Sequence, residues 1–284
     1  MNIFEQLKSA EKILNDNDIE DARLEAEILL CHLLRVEKIF LYVNPDKILS
    51  DEQIADYKIL IQRKINHEPT AYIIGHREFM DLNLIVTKDV LIPRPETEIL
   101  VETVIDKLNN VSDIIKIADI GSGSGAITIS LAKHLMNSFI DSVDISESAL
   151  KIAELNAEKY HLSERIEFFN GDIFSTLTDK KYKAIVSNPP YIPSKIIDSL
   201  QAEVKNFEPR ISLDGGDDGL NFYRRLIEES PKFLIDDGFL AVEIGYDQAA
   251  AVKHLLEENG QFKNIEIIKD LSKNDRVVVA KIGN

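Results

Sequence analysis

From about residue 115 onward, short apolar runs rich in Ile and Val alternate with segments of helical periodicity, and this alternation narrows the fold more than any other feature of the sequence. Strands are expected over 115–120, 138–144, 165–170, 182–187, 239–245, 262–269 and 276–282. Helices are expected over 126–136, 147–160, 219–234 and 248–258. Strands joined through helices pair in parallel, with helices covering both faces of the sheet. The last two strands have no helix between them, so one runs against the rest. The fold class is α/β: a seven-stranded, mostly parallel, doubly wound (Rossmann-like) sheet with one antiparallel strand.

Upstream the pattern differs. Ile3, Leu7, Ala10 and Leu14, then Ala22, Ala26, Leu29 and Leu33, recur at helical spacing, which predicts helices over 3–15 and 19–34 with Asp18 as the cap of the second. Ser50 and Gln53 form a capping-box pattern for a third helix reaching about residue 67. Residues 71–92 change to short alternations that suit a β-hairpin, closed by Pro93 and Pro95, and Pro95 opens a helix over 96–108. A chain of 284 residues accommodates an α/β domain of about 200 residues and a smaller partner. The division is a helical domain over 1–70, a hairpin linker over 71–93 and a catalytic domain over 94–284.

Lys and Arg number 33 against 49 Asp and Glu, a formal charge of -16 that repels phosphate backbones and disfavours nucleic acid as a partner. The single cysteine, Cys31, has no intrachain partner and falls in an apolar run, which predicts a core thiol. The N-terminal stretch carries acids among its apolar residues and does not read as a signal peptide, and no run approaches the ~18 apolar residues of a membrane span. A cytoplasmic location and a monomer are the expectations. The six histidines show no ligand clustering, so no metal is expected.

Two stretches carry the chemistry. The first strand runs through Asp119 into Gly121-Ser122-Gly123-Ser124-Gly125-Ala126 and then a helix, and it matches G-x-G-x-x-A. Backbone without Cβ can approach a ligand closely, and the helix start offers unpaired N–H groups. Asp144 ends the next strand, where an acid accepts from both ribose hydroxyls. These features alone fit either a nicotinamide dehydrogenase or a methyltransferase that uses a nucleoside sulfonium. Asp119 tilts the choice, because it would repel a pyrophosphate but can receive an amino acid moiety. Asp172 and Ile173 follow the third strand, with Asp172 placed to accept from an adenine amino group and Ile173 to offer backbone. The second stretch, Asn188-Pro189-Pro190-Tyr191, ends the fourth strand beside the glycine loop.

With these residues together, the chain resembles the class I S-adenosylmethionine-dependent amino-methyltransferases, and more narrowly the release factor glutamine methyltransferases, the PrmC/HemK family. The resemblance extends through Gly75-His76-Arg77-Glu78-Phe79, Pro93-Arg94-Pro95-Glu96-Thr97-Glu98, Glu208-Pro209-Arg210, Leu213-Asp214-Gly215-Gly216 and Asn274-Asp275-Arg276. It covers nearly the whole length. Ile173 stands where some members carry Trp, which leaves a backbone contact with adenine in place of stacking. The resemblance implies S-adenosyl-L-methionine as methyl donor, S-adenosyl-L-homocysteine as product, and the glutamine of a Gly-Gly-Gln motif in peptide chain release factors as target. The helical domain is then the part that recognises the factor.

An amide nitrogen is a poor nucleophile because its lone pair is delocalised. If the Asn188 side-chain oxygen and the Pro189 carbonyl each accept one N–H of a substrate amide, the nitrogen can face a methyl group and pyramidalise as it attacks. The prolines fix φ and hold these acceptors still, and Tyr191 covers the flat face of the amide. Asn188, Pro189 and Tyr191 are the expected catalytic residues, with Pro190 completing the substrate site. Phe79 is expected in the core, and Arg94 either serves the site or anchors a junction. Glu243 and Gly245 end a strand and are placed to support the site from below; the acidic run 214–218 reads as a solvated loop. The rival readings are a nucleic-acid methyltransferase acting on adenine or guanine amino groups, a dehydrogenase, and a catalytically silent binding protein.

Overall fold

The computed structural model of the chain describes residues 1–283, which form two units: 1–76 with 201–207, and 77–200 with the residues from 208 onward. In the first unit the predicted apolar spacing produces α1 (Ile3–Asn15) and α2 (Ala22–Leu34), followed by α3 (Lys38–Val43), α4 (Asp51–Ile65) and α5 (Thr70–Ile74). Ser50 and Gln53 form the expected capping box, and Asn2 and Glu5 form another, so both helices begin with their exposed N–H groups partnered. Leu14, Leu29, Leu30 and Tyr57 are wholly buried, and the Tyr57 hydroxyl donates to the Ala26 carbonyl at 2.6 Å. Each buried leucine stabilises the helix packing by about 1.5–3 kcal/mol.

Three local expectations are corrected. Asp18 does not cap α2: Asp18 and Asp21 both take positive φ in a tight turn, which delays the helix to Ala22. Cys31 is half-buried, because Leu29 and Leu30 take the inward face and the next residue lies about 100° further round. Residues 70–74 are helical, bracketed by Pro69 and by Gly75 at φ 80°, so the hairpin is confined to β1 (His76–Phe79) and β2 (Leu82–Ile85).

The second unit continues with α6 (Thr97–Leu108), β3 (Ile115–Ile120), α7 (Ala126–His134), β4 (Ser138–Asp144), α8 (Glu147–Lys159), β5 (Ile166–Asn170), β6 (Tyr182–Ser187) and α9 (Ser194–Ile197). After α10 (Ala202–Phe207), which belongs to the first unit, come α11 (Asn221–Glu229), β7 (Leu234–Glu243), α12 (Ala249–Asn259), β8 (Phe262–Lys269) and β9 (Asp275–Ile282). The helix expected over 219–234 ends at Glu229 because Pro231 cannot continue it, and β7 therefore starts five residues before the expected 239.

The seven strands lie in the order β5-β4-β3-β6-β7-β9-β8, and β9 alone runs antiparallel to its neighbours. Alternate residues feed two cores: Ile115, Ile117, Ala241 and Val277 on one face, Ala118, Ile120, Leu240 and Val278 on the other. Phe79 is buried in the first of these cores. The chain leaves β3 toward β4 and β5, then returns to β6 on the opposite side, so the strand order reverses between β3 and β6. In open α/β sheets ligands bind outside the carboxyl ends of the strands at such a reversal. Among the described residues no helix is long and apolar enough to cross a membrane.

Candidate active site

A cleft opens at that reversal, lined by Gly121, Gly123, Asp144, Ile173, Asn188 and Pro189 among others. The glycine loop leaves β3 with Gly121, Gly123 and Gly125 all at positive φ. A Cβ on Gly121 or Gly123 would meet no protein atom within 4 Å, so the space beside the loop belongs to the cleft. Gly125 differs: a Cβ there would come to 3.0 Å from Ile129 and 3.1 Å from Ala153, so its bare backbone lets α7 pack on α8. Ser122 and Ser124 are buried, with the Ser122 hydroxyl donating to the Val143 carbonyl. The Ser122 side chain braces the loop, and the Ser124 carbonyl accepts from Asn156 Nδ2 at 3.0 Å.

Two acids flank the loop. Asp119 is fully buried on β3, where Oδ2 accepts from Thr128 Oγ1 of α7 at 2.6 Å. Burial pushes its carboxyl up to about 7 against the opposing Thr128 bond. Its Oδ1 is buried without a protein partner, an acceptor aimed at nothing in the chain. Asp144, at the end of β4, holds the loop through Gly123 N at 2.8 Å and caps the next turn through Ser146 N at 2.9 Å. Burial also raises its pKa, offset in part by those two N–H groups. Each of its oxygens keeps a lone pair, so the carboxylate can take two hydroxyls without giving up the loop.

Asp172 lines the cleft, but its carboxylate is held by Arg225 of α11 through two bonds of 3.0 and 2.9 Å. Ile173 beside it is buried at φ 53°, a strained conformation for a β-branched residue that costs on the order of 1–3 kcal/mol. Both residues line the cleft.

Across the cleft, Asn188 Nδ2 donates to Thr97 Oγ1 at 2.9 Å, which leaves Oδ1 for another donor. Pro189 is buried, and Pro190 and Tyr191 are half-buried. The Tyr191 hydroxyl reaches Glu243 Oε1 at 3.3 Å, and its carbonyl accepts from Gln248 Nε2 at 3.0 Å. Burial raises the Tyr191 hydroxyl well above the ordinary tyrosine range. The loop 213–219 seats directly on this turn: Ile192 N donates to Leu213 O, and a Cβ on Gly219 would fall 2.3 Å from the Tyr191 carbonyl oxygen. The acidic run within it is therefore an ordered turn: Asp214 accepts from Ser194 and Gly216 N, and Asp218 pairs with Arg224. Arg94 anchors Glu208, which is almost fully buried and also accepts from Ile92 N.

Residues 5–75 match the PrmC N-terminal domain family, and residues 95–204 match the methyltransferase small domain family. The chain is 40% identical over 270 residues to the release factor glutamine methyltransferase of Geobacter sulfurreducens, covering 95% of this chain and 93% of that one. It is 39% identical over 287 residues to the enzyme of the same name in Clostridium acetobutylicum, covering 100% and 99%. The chain belongs to the release factor glutamine methyltransferase family. A crystal structure of a methyltransferase from Pyrococcus furiosus shares the fold, with a TM-score of 0.53 at 18% identity over 81% of this chain and 98% of that one.

For a methyltransferase of this family the cleft has the right complement of groups. Asp144 suits a ribose diol, and the open space beside Gly121 and Gly123 admits a ligand against bare backbone, while Asp119, fully buried and not among the residues lining the cleft, keeps an unpartnered oxygen that suits an ammonium. Sequence reasoning missed Thr97 and Arg225 as neighbours of the site. Thr97 lies inside the Pro-Arg-Pro-Glu-Thr-Glu junction, whose local pattern reads only as a helix start. Nothing in the α11 sequence marks Arg225.

Proposed function

We propose that this enzyme transfers a methyl group from S-adenosyl-L-methionine to the side-chain amide nitrogen of glutamine in the Gly-Gly-Gln motif of a peptide chain release factor. The observation that carries this reading is the pairing, across one cleft, of a glycine loop flanked by Asp119 and Asp144 with an Asn188 amide whose oxygen is left to accept. When bound, S-adenosylmethionine supplies an electrophilic methyl and leaves as S-adenosylhomocysteine.

The residues of the chain do the rest. Asp119 receives the ammonium of the donor's amino acid end, Asp144 takes its ribose hydroxyls, and the backbone at Asp172 and Ile173 borders the adenine. Gly121, Ser122, Gly123, Ser124 and Gly125 form the floor. Asn188 Oδ1 and the Pro189 carbonyl accept the two N–H groups of the glutamine, and Pro190 holds the turn in shape. The half-buried ring of Tyr191 excludes water from the amide face, and the amide proton departs late, so no strong base is needed.

The acidic chain suits a basic, ribosome-binding partner better than free nucleic acid, and it acts as a monomer in the cytoplasm. The helical residues 1–70 recognise the intact factor, and the linker 71–93, which contains the hairpin, joins them to the catalytic residues 94–284. Removing 1–70 is expected to reduce transfer to the intact factor far more than S-adenosylmethionine affinity; equal losses would sink that role. The test of the function is labelled methyl transfer to a purified release factor beside a copy whose loop glutamine is alanine. Label on the first only is the expected result, and label in RNA or DNA but in neither protein would overturn it.

A further inference from the structure

The prolines of the Asn188–Tyr191 turn leave part of its geometry open. A proline ring fixes φ but not ψ, and ψ at 189 sets where the Pro189 carbonyl points. An acceptor that must stay aimed therefore needs the far end of the turn tied down as well, and the tie is made at the Tyr191–Ile192 peptide. Ile192 N donates to the Leu213 carbonyl at 3.0 Å, and the Ile192 carbonyl accepts from Gly215 N at 2.9 Å. The Tyr191 carbonyl accepts from Gln248 Nε2 at 3.0 Å.

Gln248, just before α12, commits both ends of its amide to backbone. Nε2 also donates to the Gly219 carbonyl at 3.3 Å, and Oε1 accepts from Gly245 N at 3.0 Å. This amide has one workable orientation. Carbonyls cannot donate and a backbone N–H cannot accept, so a half-turn would set its oxygen against two oxygens and its nitrogen against an N–H. Glycine is needed on two sides of it. A Cβ at Gly219, which holds φ 76°, would fall 2.3 Å from the Tyr191 oxygen and 2.8 Å from Nε2, and one at Gly245 would fall 2.9 Å from Oε1. One side chain thus joins the backbone just past β7, the loop 213–219 and the turn.

We propose that Gln248 is a positioning residue for the transfer step: by holding the Tyr191–Ile192 peptide it closes the ψ freedom that the two prolines leave, and so keeps the Pro189 carbonyl aimed at the substrate amide. This role rests on the amide-methylation reading of the site. Gln248 does not line the cleft and acts only through the turn.

The test uses the full chain with Gln248→Met, which keeps the length and removes every bond, and Gln248→Glu, whose carboxylate keeps an acceptor for Gly245 N and removes the donor. Methyl transfer to the release factor is measured as kcat and KM at saturating donor, beside S-adenosylmethionine affinity and Tm. The Tyr191 carbonyl is followed directly: with carbon-13 in tyrosine carbonyls and nitrogen-15 in isoleucine, the bonded pairs are Tyr72–Ile73 and Tyr191–Ile192, and the second is assigned by its loss in Tyr191→Phe. Both variants are expected to lower kcat on the order of 10- to 100-fold, the scale of a misplaced reacting group, with KM, donor affinity and Tm retained. The Tyr191–Ile192 signal should move and the Tyr72–Ile73 signal should not. Wild-type kcat in either variant, a Tyr191–Ile192 signal indifferent to both, or donor affinity and Tm falling in step with kcat would each overturn the role. Wild-type enzyme that labels no factor would instead count against the function reading, and the carbonyl signal separates the two failures.

Discussion

The two walls of the cleft are built on opposite plans. On the glycine-loop side the contact surface is backbone, and the side chains of Ser122 and Ser124 are buried, with Ser122 bonded to the Val143 carbonyl. Polarity there comes from two acids on adjacent strands, one of them holding an oxygen that the protein leaves unpartnered. On the Asn188–Tyr191 side the contact surface is one side chain and one carbonyl, and the turn is held by groups from α6, from β7 and from Gln248 just before α12. A wall made of backbone tolerates loss of one contact, because the remaining N–H groups stay in place. A wall that aims a single amide fails when a group holding that amide changes, since the atoms remain but point wrongly.

Substitutions on the two walls should therefore fail differently. The largest effect is expected from Asn188→Ala, with methyl transfer reduced on the order of 10²- to 10³-fold while S-adenosylmethionine affinity is retained. Near-normal turnover, measured with labelled donor, would erase the contrast. Asp144→Ala should do the reverse, weakening donor binding on the order of 10- to 100-fold by calorimetry with kcat at saturation retained.

Asp119 tests the same wall through pH. Burial raises its carboxyl from 3.8 to about 7, so the folded state favours the protonated form, and that stabilisation is complete below about pH 4 and lost as pH rises through about 7. Relative to Asp119→Asn, the ligand-free wild type should lose thermal stability across that window and level off above it. A difference in Tm between the two proteins that stays flat from pH 5 to about 8 would remove the buried-acid account.

The smallest effect is expected from Arg225→Ala. The Arg225–Asp172 pair is close to half-exposed on both sides, so its loss should cost under about 1 kcal/mol of stability. Donor affinity should change by less than about fivefold if the backbone at 172–173 borders the adenine. A marked gain in affinity would show that the freed Asp172 carboxylate is the better adenine acceptor, which would put a side chain into the backbone wall.

How much of this was legible beforehand follows the same division. The glycine loop, Asp119 and Asp144 lie within one strand–turn–helix–strand passage, and their spacing alone places them together. Asn188 to Tyr191 were recognisable because a rigid amide-bearing turn after a strand has few other uses. Asp172 lines the cleft, and its pairing with Arg225 has no sequence signature, because the two are 53 positions apart and an exposed ion pair leaves no local pattern. Thr97 lies 91 positions from the amide it holds, and Tyr191 52 from the acid it reaches. The helix boundaries at 18–22 and 230–234 shifted for local reasons, a positive-φ turn and a proline, that outweighed hydrophobic periodicity.

The sequence by itself determined the α/β class, the single antiparallel strand, the cleft at the strand reversal and the family, because apolar periodicity and glycine turns act over a few residues and express themselves wherever the chain folds. Only the tertiary structure decided which atoms of those residues are free to work. Whether a carboxylate oxygen is orphaned, as in Asp119, or already engaged, as in Asp172, depends on neighbours delivered by other elements. The Asn188 amide meets the Thr97 hydroxyl, 91 positions away, only when the start of α6 is brought to the end of β6.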